Sequence, residues 1–265
     1  KKNCPIGKTT TNYCKIKEQF KKRAESFDSS ARWVLDKGLL DLHHKIAEIC
    51  KNDFILEVCC GTGVVGERLL HSDAKVIGLD VSFSMLEKAK TRLSFCVNGQ
   101  AESLPFLDNV FDIVVCRQAF HFFNPKEGMK EIVRILKKNT GRIVISQIVP
   151  FGKKDSHWLF QIHRKKQPLL KNFLSEQDLK DLLEEAGCLD ITSSEYYIEE
   201  SINNWLKDTF FSESEIDAIK KMFLDAPLEY KVLHRTRIID GHIFDTMRWV
   251  VIRGRKAEKI KKKEK

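Results

Sequence analysis

The sequence predicts an α/β protein built on a doubly wound, mostly parallel sheet. Three observations carry the prediction. Short apolar runs recur through the first 150 residues, and segments with helical apolar spacing lie between them. One run, Phe54–Val58, passes straight into Gly61, Gly63 and Gly66, a strand, glycine turn and helix start of G-x-G-x-x-G form. A second run, Lys75–Asp80, ends in an acid.

The elements follow in order. Residues 15–30 carry apolar residues at 16, 20, 24 and 27, and residues 38–51 place Leu39, Leu42, Ile46 and Ile49 on one face; both spacings are helical. After the glycine turn a helix begins at Val64. Lys75–Asp80 is a strand, and Ser82 caps a helix whose face is Leu86, Ala89 and Leu93. Phe95–Val97 and Phe111–Cys116 are strands. Asn124-Pro125 opens a helix facing inward through Met129, Ile132, Val133 and Leu136. Arg142–Val149 is a fifth strand. Ser175 with Asp178 and Ser212 with Glu215 mark two capped helix starts, and Gly187 stops the first of these helices. Leu189–Ile198 and Ile243–Ile252 complete seven strands. Segments 150–174 and 199–240 interrupt the rhythm after strand ends, where such sheets bind ligands, and read as helical walls or lid of a substrate pocket.

A chain of 265 residues with 42% hydrophobic content supports one sizeable core and an accessory element. The organisation expected is a basic arm and entry helix over 1–30, one domain over 31–254, and a basic tail over 255–265. No run of eighteen apolar residues is present, and the apolar stretch of a secretory signal is not seen behind Lys1 and Lys2. The expectation is therefore a reduced, cytoplasmic protein whose eight cysteines include five in apolar surroundings, Cys50, Cys59, Cys60, Cys96 and Cys116. Cys4 and Cys14 could form a redox or metal pair, but nine residues separate them with no histidine near in sequence, and no metal is expected. The net charge of +9 is concentrated at the ends: residues 1–23 carry +7 and residues 255–265 carry +5, leaving the body at −3. Basic ends are compatible with RNA or an anionic membrane, but a surface that reads RNA would carry the charge itself, so solvated tails are the favoured reading.

Glu57 decides which nucleotide the turn suits. It sits four residues before the first glycine, at the end of the strand. A fixed carboxylate there repels the pyrophosphate of a dinucleotide. It attracts the ammonium of S-adenosylmethionine, whose carboxylate can use free N–H groups at the helix start.

Further motifs carry a resemblance. Ile55–Gly63, Gly78–Ser82 with Met85-Leu86, Gly99–Phe106, and Phe111–Val114 with Phe120–Phe122 and Asn124-Pro125 occur in that order. Over roughly residues 20–150 the chain resembles class I S-adenosylmethionine-dependent methyltransferases, of the broad group that includes ubiquinone/menaquinone C-methyltransferases. The resemblance implies a Rossmann-like, seven-stranded sheet. It also implies residue roles. Glu57, Cys59, Gly61 and Gly63 form the turn around the methionine end. Asp80 accepts from the ribose hydroxyls; Val81 and Met85 pack on adenine; Gln100 and Ala101 meet the adenine edge. Cys116 and Arg117 lie beside the methionine end through backbone groups. Position 59 is Cys where Gly is usual, position 100 is Gln where Asp is common, and Phe27 lacks the hydroxyl a tyrosine would bring.

The expected activity is methyl transfer to a small-molecule acceptor. Positioning and water exclusion dominate such a displacement, and a base is needed only when the acceptor must lose a proton. His121 is the best-placed candidate base by sequence, with pocket lining or a structural role as the commoner outcome for a His there. Trp158, Phe160, Trp205, Phe210, Phe211 and Phe223 in the two insertions point to an apolar or aromatic acceptor unless they are core. The alternatives are an RNA methyltransferase, a silent S-adenosylmethionine-binding relative, and an NAD-dependent oxidoreductase. The last lacks a Tyr-x-x-x-Lys set after the glycine turn.

Overall fold

The structure, a computed structural model, describes residues 8–70, 74–207 and 211–258. Phe54–Val58 (β1) pairs in parallel with Lys75–Asp80 (β2) on one side and Ile113–Arg117 (β4) on the other. Phe95–Asn98 (β3) extends the sheet beyond β2, and Arg142–Ile148 (β5) beyond β4, both parallel. His242–Lys256 (β8) joins β5 antiparallel, and Cys188–Ser201 (β6) joins β8 antiparallel. The order is β3-β2-β1-β4-β5-β8-β6. These are the seven expected strands, with one addition: Arg237–Ile239 (β7) pairs with β8 through the turn at Asp240-Gly241. The chain direction through the sheet reverses between β1 and β4, so the ends of β1, β2 and β4 open a crevice of the kind that holds ligands.

The period of two along the strands divides the core. Ile55, Ile113, Val115, Val144 and Val251 face one side, against Leu39 and Leu40 of Lys37–Ala47 (α2) and Val65 and Leu69 of Val64–Leu69 (α3). Leu56, Val58, Val114, Cys116, Ile145 and Val250 face the other, against Met129 and Ile132 of Pro125–Ile135 (α5) and Leu179 and Leu183 of Glu176–Glu185 (α7). Helix starts fall where the capping residues stand. Asn124 Oδ1 accepts from the amides of Lys126 and Glu127. Ser175 and Asp178 form a reciprocal box, as do Ser212 and Glu215.

Several boundaries differ from expectation, β6 and β8 among them, which run longer than expected. The entry helix is Lys8–Arg23 (α1), followed by a 3₁₀ turn at Phe27–Ser29, so the 15–30 periodicity spans both. Regular β4 pairing starts at Ile113, because the amides of Val110 and Phe111 donate to the Ile135 carbonyl at the end of α5. The expected basic tail also begins too early. Arg255 and Lys256 belong to β8, where Arg255 bonds Asp190 and Lys256 Nζ donates to the Leu136 carbonyl at 2.7 Å. Cys50 is exposed rather than apolar-packed, and Cys4 lies outside the described residues.

The two inserted segments hold Lys153–Lys166 (α6), Ile202–Lys207 (α8), Glu213–Leu224 (α9) and Leu228–His234 (α10). Asp155 caps α6 by accepting from the amides of Phe151 and Gly152 at 2.8 and 2.7 Å. His234 then ties the layer to the sheet: its Nε2 lies 3.1 Å from Asp155 and its Nδ1 3.2 Å from Asp245 of β8. Burial alone would lower the His234 pKa, but hydrogen bonds to these two carboxylates raise it. Trp205 and Phe223 are buried in the core, and Trp158 and Phe211 pack on its margin; Phe210 lies outside the described residues. Trp158, Trp205, Phe211 and Phe223 therefore serve packing.

Candidate active site

The turn after β1 is built from left-handed backbone. Cys59, Gly61 and Gly63 have φ of 56°, 54° and 80°. A side chain at position 59 therefore adopts a conformation costing about 1 kcal/mol, which accounts for a glycine preference there. A Cβ on Gly61 would find only the edge of Phe27, at 3.8 Å, so that side of the turn faces open space. A Cβ on Gly63 would press on Ala89 and Leu93 at 3.2 Å, so that glycine lets the turn close against Phe83–Ala89 (α4) and the residues just after it.

Gly66 explains the third glycine of the pattern. Its amide donates to Glu57 Oε2 at 2.7 Å, and a Cβ would also sit 2.7 Å from that oxygen. Gly66→Ala is therefore expected to destabilise the fold by roughly 1–3 kcal/mol through overpacking, measured as a lower denaturant midpoint at unchanged m-value.

Two buried carboxylates flank the turn. Asp80, at the end of β2, accepts from the amides of Gly61 (2.9 Å) and Ser82 (2.8 Å). Burial raises its pKa, and those amide bonds pull it back. Glu57 is 3% exposed, and burial pushes its pKa up to about 7 against the opposing charge of Arg117. Arg117 is itself held, through Nη1, by the carbonyls of Val34 (3.1 Å) and Trp33 (3.4 Å), and its guanidinium lies 5.1 Å from the Trp33 ring centroid. Burial lowers the Arg117 pKa to about 10, so it stays cationic at neutral pH.

The segment after α1 is clamped onto the turn. Thr62 Oγ1 donates to Asp28 at 2.6 Å, and Arg92 bonds Asp28 (2.8 Å), the Thr62 carbonyl (3.0 Å) and Glu67 (2.8 Å). Phe20 stands edge-on to Phe122 with ring centroids 5.3 Å apart. The result is a cleft over the strand ends, roofed by α1 and the 27–33 segment.

Most of the residues expected to bind cofactor converge here. Glu57, Cys59, Gly61, Asp80, Val81, Gln100, Ala101 and Arg117 all line the cleft. Gly63, Met85 and Cys116 are not among its lining residues. Met85 is 1% exposed inside α4, and Cys116 is a buried free cysteine beside Cys59, whose thiol pKa it helps to raise. His121 is not in the lining either: it is buried, its carbonyl accepts from the Lys171 amide at 2.8 Å, and burial pushes its pKa down to about 3. Such an imidazole is neutral but weakly basic, which fits a structural role better than proton removal. Tyr13, Trp33, Gln118 and Ala119 line the cleft although no site role was expected of them, and Ile16 does so from the expected helical face. Tyr13 could have been found: it lies three residues before Ile16, on the face already marked by 16, 20 and 24. Among the described residues, none of 150–174 or 199–240 lines this cleft. Among the described residues no cluster of His, Cys, Asp or Glu is arranged for a metal ion, and no helix is long and apolar enough to cross a membrane.

A family model described as a methyltransferase domain matches residues 56–145, the stretch that builds the turn, β2, β3, β4, α5 and the start of β5. The demethylmenaquinone methyltransferase of Thermotoga maritima is 31% identical over 192 residues, covering 62% of this chain and 80% of that protein. The chain belongs to the class I S-adenosylmethionine-dependent methyltransferases. An uncharacterised methyltransferase-like protein of Schizosaccharomyces pombe is 36% identical over 110 residues, 40% of each chain. The chain spans 40–61% of the length of the first curated relatives it matches. The solved YcgJ protein of Bacillus subtilis shares the fold with a TM-score of 0.75 at 21% identity, covering 83% of this chain and 98% of that one.

For a class I methyltransferase the site's chemistry fits the cofactor. Gly61 presents a side without a Cβ to the cleft, two carboxylates flank it, and Asp80 has lone pairs left after taking two amides.

Proposed function

We propose that the chain transfers the methyl group of S-adenosylmethionine to a small-molecule acceptor with an apolar or aromatic body. One observation carries the reading: Glu57 and Asp80 both line a cleft that also presents a broad apolar surface, from Ile16, Phe20, Phe27, Trp33, Phe122 and Phe123. Bound there, S-adenosylmethionine supplies a methyl carbon already activated by its sulfonium. The protein's own tasks are then binding and enclosure. Asp80 takes the ribose hydroxyls, and Val81, Gln100 and Ala101 border the adenine. Glu57 offers its carboxylate to the ammonium. Phe20, Phe27 and Phe122 exclude water from the reacting end, which shortens approach distances and favours in-line displacement. His121 has no part in proton removal on this reading.

The experiment is transfer of isotopic methyl from S-adenosylmethionine to a cell extract by the full chain, with the labelled product fractionated. Label in the small-molecule fraction supports the proposal. Label in RNA or protein, or none above a no-enzyme control, contradicts it.

A further inference from the structure

We propose that Tyr13 positions the methyl acceptor, donating a hydrogen bond from its hydroxyl to a polar group on an otherwise apolar molecule; this rests on the methyl-transfer reading above. Tyr13 lines the cleft from α1 and is 8% exposed. Its hydroxyl is buried and has no hydrogen-bond partner among the described residues. An unpaired buried hydroxyl is costly, and phenylalanine would fill the same space without that cost. The other two α1 residues in the lining, Ile16 and Phe20, are apolar, so the hydroxyl is the one polar group α1 is seen to offer there.

Its place in the fold assigns it to the acceptor rather than to the nucleoside. Asp80, Val81, Gln100 and Ala101 lie at the ends of β2 and β3, on one side of β1. Tyr13 lies beside Lys171, whose ammonium is 5.6 Å from its ring centroid. The Lys171 amide bonds the His121 carbonyl, and Asn172 bonds the carbonyls of Phe120 and Phe123. Tyr13 therefore belongs with the segment after β4, across β1 from the nucleoside residues. There Ala119, Phe122 and Phe123 supply apolar walls. The chemical class that fits is a compact, flat, apolar body carrying one oxygen or nitrogen that accepts a hydrogen bond.

Ligand-detected NMR tests this with p-cresol and p-xylene as probes, on the full chain saturated with S-adenosylhomocysteine. Wild type is expected to bind p-cresol roughly three- to tenfold tighter than p-xylene, the worth of one hydrogen bond. Tyr13→Phe is expected to erase that preference while leaving p-xylene and S-adenosylhomocysteine affinities unchanged. Equal binding of the two probes by wild type, an undiminished preference in Tyr13→Phe, or loss of both probes together would overturn the proposal. Failure of wild type to bind S-adenosylhomocysteine would contradict the methyl-transfer reading itself, and this assignment with it.

Discussion

Asp80→Ala is expected to weaken S-adenosylmethionine binding about a hundredfold or more. Asp80 is a buried carboxylate, so the hydrogen bonds it would accept from two ribose hydroxyls are charge-assisted and shielded from water. Each such bond is worth about 1.5–3 kcal/mol, and two of them exceed the ~2.7 kcal/mol that a hundredfold requires. The substitution also strips partners from the amides of Gly61 and Ser82, which the carboxylate holds at 2.9 and 2.8 Å. Asp80→Asn keeps acceptor capacity without the charge and is expected to lose less, about tenfold. Calorimetry gives both affinities, and circular dichroism separates a lost ligand contact from a lost fold.

Glu57→Gln is expected to split stability from binding. The folded protein holds the Glu57 pKa at about 7, above the ordinary 4.5, because burial disfavours the charge. The folded state therefore binds the proton more tightly than the unfolded chain. By linkage this group's contribution to stability is fully present below pH ~4.5 and is lost as pH rises toward ~7. A glutamine stays neutral while still accepting the Gly66 amide. At pH 8 the variant should be more stable than wild type by roughly 1–3 kcal/mol, and at pH 4 no different. Binding should move the other way. An ammonium needs the ionised carboxylate, so wild-type affinity for S-adenosylmethionine is expected to climb as pH rises through about 7, whereas the Gln variant should bind about tenfold or more weakly at pH 8 with a flatter profile. Paired denaturation and calorimetry across pH 5–8.5 check this. Equal stability at all pH values, or an unchanged affinity profile, would count against Glu57 as the ammonium partner.

The glycine turn and its two flanking carboxylates were legible because they are local in sequence. β1, the turn and β2 lie within 54–80, and the carboxylates at 57 and 80 stand where strands end. Their mutual proximity follows from parallel pairing of β1 with β2, which puts Glu57 opposite Gly78. Gly63 and Gly66 carried a signal too, but of a different kind. One lets the turn approach the α4 segment, and the other lets α3 approach Glu57, so two of the three glycines concern packing rather than ligand. Met85 and Cys116 belong with them, buried next to cleft residues without lining the cleft.

The roof of the cleft was poorly legible because tertiary contacts create it. The roof comes from α1 and residues 27–33, held by Asp28, Thr62 and Arg92, residues up to 64 positions apart. The aromatics of the two insertions invited a pocket reading, yet Trp205 and Phe223 complete the core and α6 and α10 are fastened by His234 between two buried aspartates. Single-sequence periodicity cannot distinguish an aromatic facing a cleft from one facing a core, since both are buried. His121 was ambiguous for the same reason: its position after β4 suits a site residue or a structural one, and it is buried without lining the cleft.

Calorimetric titration of the full chain with S-adenosylmethionine, beside an identical titration with NADH, tests the central claim most directly. The account predicts saturable one-to-one binding of S-adenosylmethionine, strengthened between pH 6 and 8, and no heat from NADH. Saturable NADH binding, or no binding of S-adenosylmethionine at concentrations up to a millimolar, would contradict it.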